Sequence, residues 1–214
     1  MFQPLQSEVE SRFSHIEAYF RATRHFRGDL SATAKGLSFV QVYSVYEFTV
    51  RSVLRVALDS IERHNHKVRD ISPSLMAVFL DSELEALRAC SQDKIWQYRI
   101  NLFEKAYSKD KIRIRNRSAQ PHDGSHFRYT NLLIIFKVFG INRLPVPRRR
   151  HSARVNEVVD HRNLIAHGSE TPEEIGRRYT NEEIRKMISQ MRGICILLIS
   201  IFENYCSNPS RHVR

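Results

Sequence analysis

The sequence predicts an all-α protein, a helical bundle with short helical insertions and one basic loop. The chain has only seven glycines and seven prolines among 214 residues. Few stretches alternate apolar with polar residues, as a half-buried strand would. Several segments instead repeat apolar residues at three- and four-residue steps, the spacing of one face of a helix. Helices with such faces pack into bundles.

The apolar spacing predicts two helices in the first part of the chain. The first extends from Leu5 to Phe26, and Gly28 and Asp29 end it. Leu37 to about Ile61 predicts the longest helix of the first half. Because this second segment is apolar around most of its girth, we expect it at the centre of the core.

The middle of the chain predicts shorter helices. They are expected at Ser74 to Leu80, Glu83 to Cys90, Ile95 to Tyr107 and Phe127 to Phe139. His64 and His66, which follow the long helix, are interpreted as its solvated end, and no metal site is predicted.

A helix from Ser152 to His167 contains the stretch that carries chemistry. Its apolar stripe consists of Val155, Val158, Val159, Ile165 and Ala166. Arg162 falls in the middle of that stripe, where a guanidinium is costly to bury without a partner. Gly168 is placed to end the helix in a left-handed cap. Asn163 and His167, four residues apart, are neighbours on the helix surface.

Two capping boxes open the remaining helices. Thr171 and Glu174 bracket a single turn, and Thr180 with Glu183 begins the last long helix, which extends to about Tyr205. We expect one domain, 1–214, with an N-terminal helix in 1–34. The core bundle then occupies 35–206 and includes a basic excursion at 109–125.

The cellular compartment is predicted to be the cytoplasm. The three cysteines are odd in number and show no close-spaced metal pattern, which fits a reducing compartment. A chain of this length buries roughly 70% of its unfolded surface and needs no disulfide or metal to fold. We find no signal peptide and no apolar run near the ~20 residues that a membrane span requires, so no membrane contact is expected.

The charge of +11 favours a polyanionic partner. Basic residues bracket the motif helix along the chain, and we predict that they bind RNA. They are Lys111, Arg113, Arg115, Arg117, Arg148, Arg149, Arg150, Arg177 and Arg178.

The arginine and histidine of the motif helix also have a purely structural explanation. A lone arginine on a helix is commonly a surface ion pair, and a histidine at a helix end is a favourable charge there. The order Arg162, a polar residue, three apolar residues, His167 and Gly168 nevertheless resembles the Arg-x4-His motif of the HEPN superfamily of helical ribonucleases and nucleotide-binding domains. Further stretches are similar to the MAE-like family of HEPN nucleases, and the resemblance runs from about Leu37 to Phe202. These stretches are Leu37-Ser38-Phe39-Val40, Tyr46-Glu47-Phe48 and Ile175-Gly176-Arg177-Arg178-Tyr179.

The resemblance implies an endoribonuclease that uses no metal or other cofactor and produces 2′,3′-cyclic phosphate and 5′-hydroxyl ends. His167 would be the general acid or base and Arg162 the phosphate clamp. Asn163 would orient the imidazole or contact the phosphate, and Asp160 is a supporting residue with the character of a surface charge. Glu47 would pair with Arg162, although a tyrosine or another arginine is an equally good partner.

The resemblance also implies a homodimer in which two motif helices face each other, so that two histidines and two arginines share a cleft. A toxin or defence role, with an antitoxin or other regulatory protein as partner, is consistent with this family. Some related toxins carry a tyrosine two residues after the histidine, where this chain has Ser169, so regulation through such a tyrosine is unsupported. The alternative is a non-catalytic HEPN module that binds RNA, nucleotide or a partner protein. A third hypothesis, DNA binding through charge, lacks any helix-turn-helix spacing.

Overall fold

The computed structural model describes residues 1–113 and 126–213, and within them it confirms the all-α prediction. Pairing of extended backbone there is limited to two isolated bridges, Lys67 with Lys111 and Ile71 with Val213. The helices are α1 (Gln3–Thr23), α2 (Gly28–Arg63), α3 (Pro73–Phe79), α4 (Asp81–Ala89), α5 (Ile95–Ala106), α6 (Tyr129–Val138), α7 (His151–Ala166), α8 (Pro172–Arg177) and α9 (Asn181–Cys206). Three-residue 3-10 turns precede α3 and α5, and a four-residue one follows α9.

Helix α2 is the central element, and α1, α7, α8 and α9 pack around it. As predicted, its aromatic and aliphatic stripe is fully buried, with Phe39 and Tyr46 each 0% exposed. The helix begins at Gly28, nine residues before the predicted start. That first part was missed because its buried positions are the small residues Ala32, Ala34 and Gly36, which carry little hydrophobic signal.

Small residues let α8 lie directly on α2. A Cβ added to Gly176 would come within 1.8 Å of the Ala32 carbonyl oxygen, and one added to Gly36 within 1.8 Å of the Pro172 oxygen. The two backbones therefore touch without side chains between them. Because α8 follows the motif directly, this contact fixes where the chain goes after His167.

Both predicted capping boxes form. The Thr171 hydroxyl accepts from the Glu174 amide at the start of α8, and the Thr180 hydroxyl accepts from the Glu183 amide at the start of α9. Helix α5 occurs where the spacing of its apolar residues predicts. Several of those apolar side chains are nevertheless exposed to solvent, and Trp96 is 69% exposed. Within 1–113 and 126–213, no helix has both the length and the apolar character required to cross a bilayer.

Candidate active site at the end of the motif helix

Helix α7 rises from the core to the surface along its length. Val155, Val158 and Val159 are 0% exposed, whereas Ala166 and His167 are exposed. The predicted stripe is thus buried only in its first part. Gly168 has φ +69°, and its amide bonds to the Ile165 carbonyl while the Ser169 amide bonds to that of Leu164. This is the Schellman arrangement expected of a glycine after the last helical turn.

Arg162 is accommodated by an aromatic face and neutral acceptors. Its guanidinium carbon lies 4.6 Å from the centre of the Tyr43 ring. Nη1 donates to Asn163 Oδ1 at 3.0 Å and to His126 Nδ1 at 3.2 Å. A cation over an aromatic ring is attracted by the ring quadrupole, which offsets part of the cost of leaving water. The guanidinium is therefore held in place while retaining its full charge.

His126 is the residue of this site that sequence reasoning missed. The Tyr43 hydroxyl lies 3.2 Å from its Nδ1, the same nitrogen that faces Arg162. Because a guanidinium only donates, Nδ1 acts as the acceptor and we assign the proton of the neutral ring to Nε2. Burial lowers the pKa of His126, and the charge of Arg162 lowers it further.

His167 completes this surface. Its positive form also lowers the pKa of His126, which places both histidines and Arg162 within electrostatic range of one another. Unlike Tyr43, which is 1% exposed, His167 is exposed, so a ligand can reach its imidazole from solvent. We call Arg162, His126, His167, Tyr43 and Asn163 the motif cluster.

The supporting carboxylates have other partners. Glu47 binds Arg51 at 2.9 Å and also interacts with the Tyr43 hydroxyl, so the predicted pairing of Glu47 with Arg162 is wrong, and both alternatives, a tyrosine and another arginine, hold. The Glu47 charge still acts on the site, because it raises the pKa of His126. Asp160 pairs with Arg128, in keeping with its interpretation as a surface charge.

A hydrogen-bonded network fixes α7 on its other side. The Tyr179 hydroxyl donates to Glu157 Oε1 at 2.8 Å and lies 2.6 Å from His161 Nε2, which donates to it. Glu157 in turn pairs with Arg154. Phe39 packs edge-on against His161, with 4.8 Å between ring centres. These residues set the rotation of α7 and thereby direct Arg162 toward Tyr43.

The segments that resemble the MAE-like family therefore surround the motif helix. Phe39 contacts it from α2, and Tyr179 contacts it from the end of α8. Tyr46 donates its hydroxyl proton to the Phe127 carbonyl at 2.8 Å, which anchors the backbone beside His126. The family-like residues thus position the motif cluster from several elements.

Among the predicted RNA-binding residues that the structure describes, the basic side chains are divided among several places on the surface. Arg177 pairs with Asp29 and Glu173, and Arg178 pairs with Glu170, so carboxylates offset both charges.

The basic triplet 148–150 is exposed, at the opposite end of α7. Arg150 lies about 18 Å from Arg162 along the axis, at 1.5 Å per residue. The triplet is therefore close to Arg162 in sequence but distant from it along the helix.

The remaining predicted basic residues lie elsewhere. Lys111 and Arg113 line a cavity of about 420 Å³ together with Val68 and Phe79. Arg115 and Arg117, with most of the 109–125 excursion, lie outside the described residues.

A profile of the MAE_28990-like HEPN family matches residues 2–210. The chain matches no curated protein and no solved structure. HEPN domains are all-α, as this chain is, and the match includes both the motif helix and the elements that position it. The chain therefore belongs to the MAE_28990-like HEPN family, whose members are nuclease-like or RNA-related modules.

Proposed function

We propose that this protein is a metal-independent endoribonuclease whose active site is the motif cluster. The observation that carries the proposal is the meeting of a positioned guanidinium with two imidazoles at one exposed surface. RNA cleavage of this kind requires a fixed positive charge for the phosphate and proton carriers for the two oxygens. Arg162, His126 and His167 are side chains of these types.

Arg162 is the phosphate clamp. Within the described residues, each hydrogen bond that it makes to protein leaves from Nη1. Nε and Nη2 remain as a fork that matches two phosphate oxygens. The Tyr43 ring and His126 hold the guanidinium before substrate arrives, so little reorganisation is needed when charge develops in the transition state.

His167 is the general acid or base. An imidazole can both accept and donate a proton near neutral pH. In the proposed reaction the ribose 2′-oxygen attacks the adjacent phosphorus and its proton passes to a base. The bond from phosphorus to the 5′-oxygen breaks, and an acid protonates that oxygen. The products are a 2′,3′-cyclic phosphate and a 5′-hydroxyl.

Within the motif cluster, a single chain supplies one exposed histidine, His167, so a second copy would complete the proton relay. We infer that two α7 helices face each other across a two-fold axis. Leu164 and Ile165, in the last turn of α7, are only partly buried and provide apolar surface for such a contact. Scattering at micromolar concentration measures the mass directly, and a monomer there would remove the composite site.

Purified protein incubated with single-stranded and structured RNA in the presence of EDTA tests the activity. We expect cleavage that persists in EDTA, is lost in His167→Ala and is retained in His15→Ala, which removes an exposed histidine far along the chain from the motif. Equal activity of His167→Ala and unmodified protein would exclude the assigned role of His167.

The same samples distinguish the non-catalytic alternative. RNA binding without cleavage by the unmodified protein would indicate a binding module, and competition with duplex DNA at matched salt would indicate whether charge alone selects the ligand. We further infer a toxin or defence role with a regulatory protein partner. Growth arrest on expression, relieved in His167→Ala, would support it.

A further inference from the structure

A second histidine cluster lies at the far end of α2. His64 follows the last residue of α2, His66 is two residues later, and His212 lies in the 3-10 turn Pro209–His212 near the C-terminus. Each offers one ring nitrogen, and these nitrogens all lie within 4.8 Å of one another. The ring centres are 5.5 to 5.8 Å apart. We call these residues the three-histidine cluster.

The interior of this cluster lacks the hydrogen bonds that buried imidazoles normally make. His212 is 0% exposed, and its ring nitrogens lack a hydrogen bond of normal geometry within the described residues, although the Tyr205 backbone lies close enough to interact with the ring. His66 Nε2 is buried and equally without a partner there. Leaving buried polar atoms unpaired costs about 1 to 3 kcal/mol each. One nitrogen of each ring lies within 4.8 Å of the others, so a shared ligand at that point would remove part of this cost.

The unpaired atoms have the chemistry of acceptors for a cation. His64 Nδ1 lies 2.7 Å from the Ser60 carbonyl, which fixes the proton on Nδ1 and leaves Nε2 with a free lone pair. A histidine held through its other nitrogen in this way is the usual form of a metal ligand.

We propose that His64, His66 and His212 bind a divalent transition metal of the Zn²⁺ class through three imidazole nitrogens. Three histidines around Zn²⁺ leave a fourth position for water or another ligand. Tetrahedral Zn–N bonds of roughly 2.0–2.1 Å place the nitrogens about 3.4 Å apart. The ring nitrogens, which lie within 4.8 Å of one another, reach that spacing by a small contraction of the cluster.

A surface cavity of about 480 Å³ lies beside His66, and Arg69 and Asp70, which pair with each other, also line it. The Asp70 carboxylate lies close enough to His66 to act on it electrostatically. A metal bound here would connect the end of α2 with the C-terminal segment, which otherwise meets the preceding loop through the Ser72 amide and the His212 carbonyl at 3.0 Å. The site is separate from the motif cluster, since His64 lies about 32 Å from Tyr43 along α2.

Calorimetric titration of chelator-treated, full-length protein with ZnCl2 tests the proposal. We expect one Zn²⁺ per chain, an increase in Tm on binding, and visible absorption of tetrahedral Co²⁺ when CoCl2 replaces zinc. His64→Ala and His66→Ala should each weaken affinity by more than the roughly 10–100-fold lost when a supporting residue is removed. His15→Ala, at an exposed site on α1, should bind as the unmodified protein does.

Two outcomes would overturn the proposal: no stoichiometric binding, or binding that survives both variants but is lost in His126→Ala. Because His212→Ala alters a buried position and can fail to fold, the exposed His64 carries the decisive substitution. RNA cleavage by His64→Ala should equal that of unmodified protein. The cleavage assay with EDTA is run below the unfolding temperature of the metal-free protein, so that loss of this metal and loss of catalysis are distinguished.

Discussion

Two histidine clusters adjoin the same helix, α2, and have opposite surroundings. Near the middle of α2, Tyr43 contacts a surface where His126 and His167 share their environment with the guanidinium of Arg162. At the end of α2, His64, His66 and the fully buried His212 bring their ring nitrogens within 4.8 Å of one another. Histidine therefore lies beside a fixed guanidinium at one site and beside other histidines at the other.

This difference decides which ligand each cluster favours. An imidazole beside a held guanidinium gains nothing from a metal cation, because the positive charges repel, but both groups attract a phosphate. Three imidazoles whose ring nitrogens lie within 4.8 Å of one another, with the Asp70 carboxylate nearby, have the reverse preference. The comparison predicts that changes in the motif cluster affect RNA cleavage and changes in the three-histidine cluster affect metal affinity.

The largest expected effect comes from His167→Ala. A positioned acid or base contributes about 10²–10⁴-fold to rate, and the substitution removes an exposed side chain that supports no core packing. The rate of RNA cleavage should fall by that factor while Tm stays within about 2 °C, since surface changes seldom exceed about 0.5 kcal/mol. His64→Ala is the control from the other cluster. An equal loss of cleavage rate in that variant would contradict the separate roles of the two clusters.

Arg162→Lys should have the next largest effect. Lysine keeps the charge but loses the planar fork, so it cannot bind two phosphate oxygens together. We expect cleavage to drop by about 10²-fold, the lower value for removing one preorganised donor. Single-turnover kinetics measures the chemical step. A variant with unchanged rate would show that charge alone suffices and that the fork over Tyr43 has no role.

Sequence alone predicted the helices, both capping boxes and the cap at Gly168 well, because these depend on local spacing and residue type. It also placed Arg162 and His167 on one helix end. Each of these features is determined by residues within about one helical turn of it, so no contact with a distant segment is needed to predict it.

The features that the sequence did not predict depend on contacts between distant segments of the chain. His126 lies 36 residues before Arg162, after a polar stretch with no helical periodicity, and nothing local indicates that the two meet. His212 reaches His64 and His66 from near the other end of the chain. Glu47 was expected to be deeply buried because its neighbours are apolar, yet the turn of α2 exposes it enough to bind Arg51.

Two buried tyrosines, one beside each cluster, provide a smaller test. The Tyr43 hydroxyl bonds to His126, whereas the Tyr205 hydroxyl, beside His212, has no partner within the described residues. Tyr43→Phe should lower the free energy of unfolding by about 1 kcal/mol and reduce cleavage, because the His126 ring loses a bond that orients it. Tyr205→Phe should be neutral or stabilising. Urea unfolding measures both, and equal losses would contradict the assigned difference between the hydroxyls.

The smallest expected effect is on the titration of His126. Its pKa lies below the ordinary 6.5, through burial and the charge of Arg162, with Glu47 opposing and His167 and Arg128 adding to the shift.

Arg162→Ala should therefore raise the His126 pKa, and Glu47→Gln should lower it further. Because the folded-state pKa is depressed, this histidine stabilises the fold fully above pH about 6.5, and that contribution is lost as pH falls through the folded value. NMR titration of the His126 ring in the three proteins measures the shifts. If Arg162→Ala left the pKa unchanged, the guanidinium and the imidazole would not share one electrostatic environment, and the motif cluster would lose the feature that distinguishes it from the three-histidine cluster.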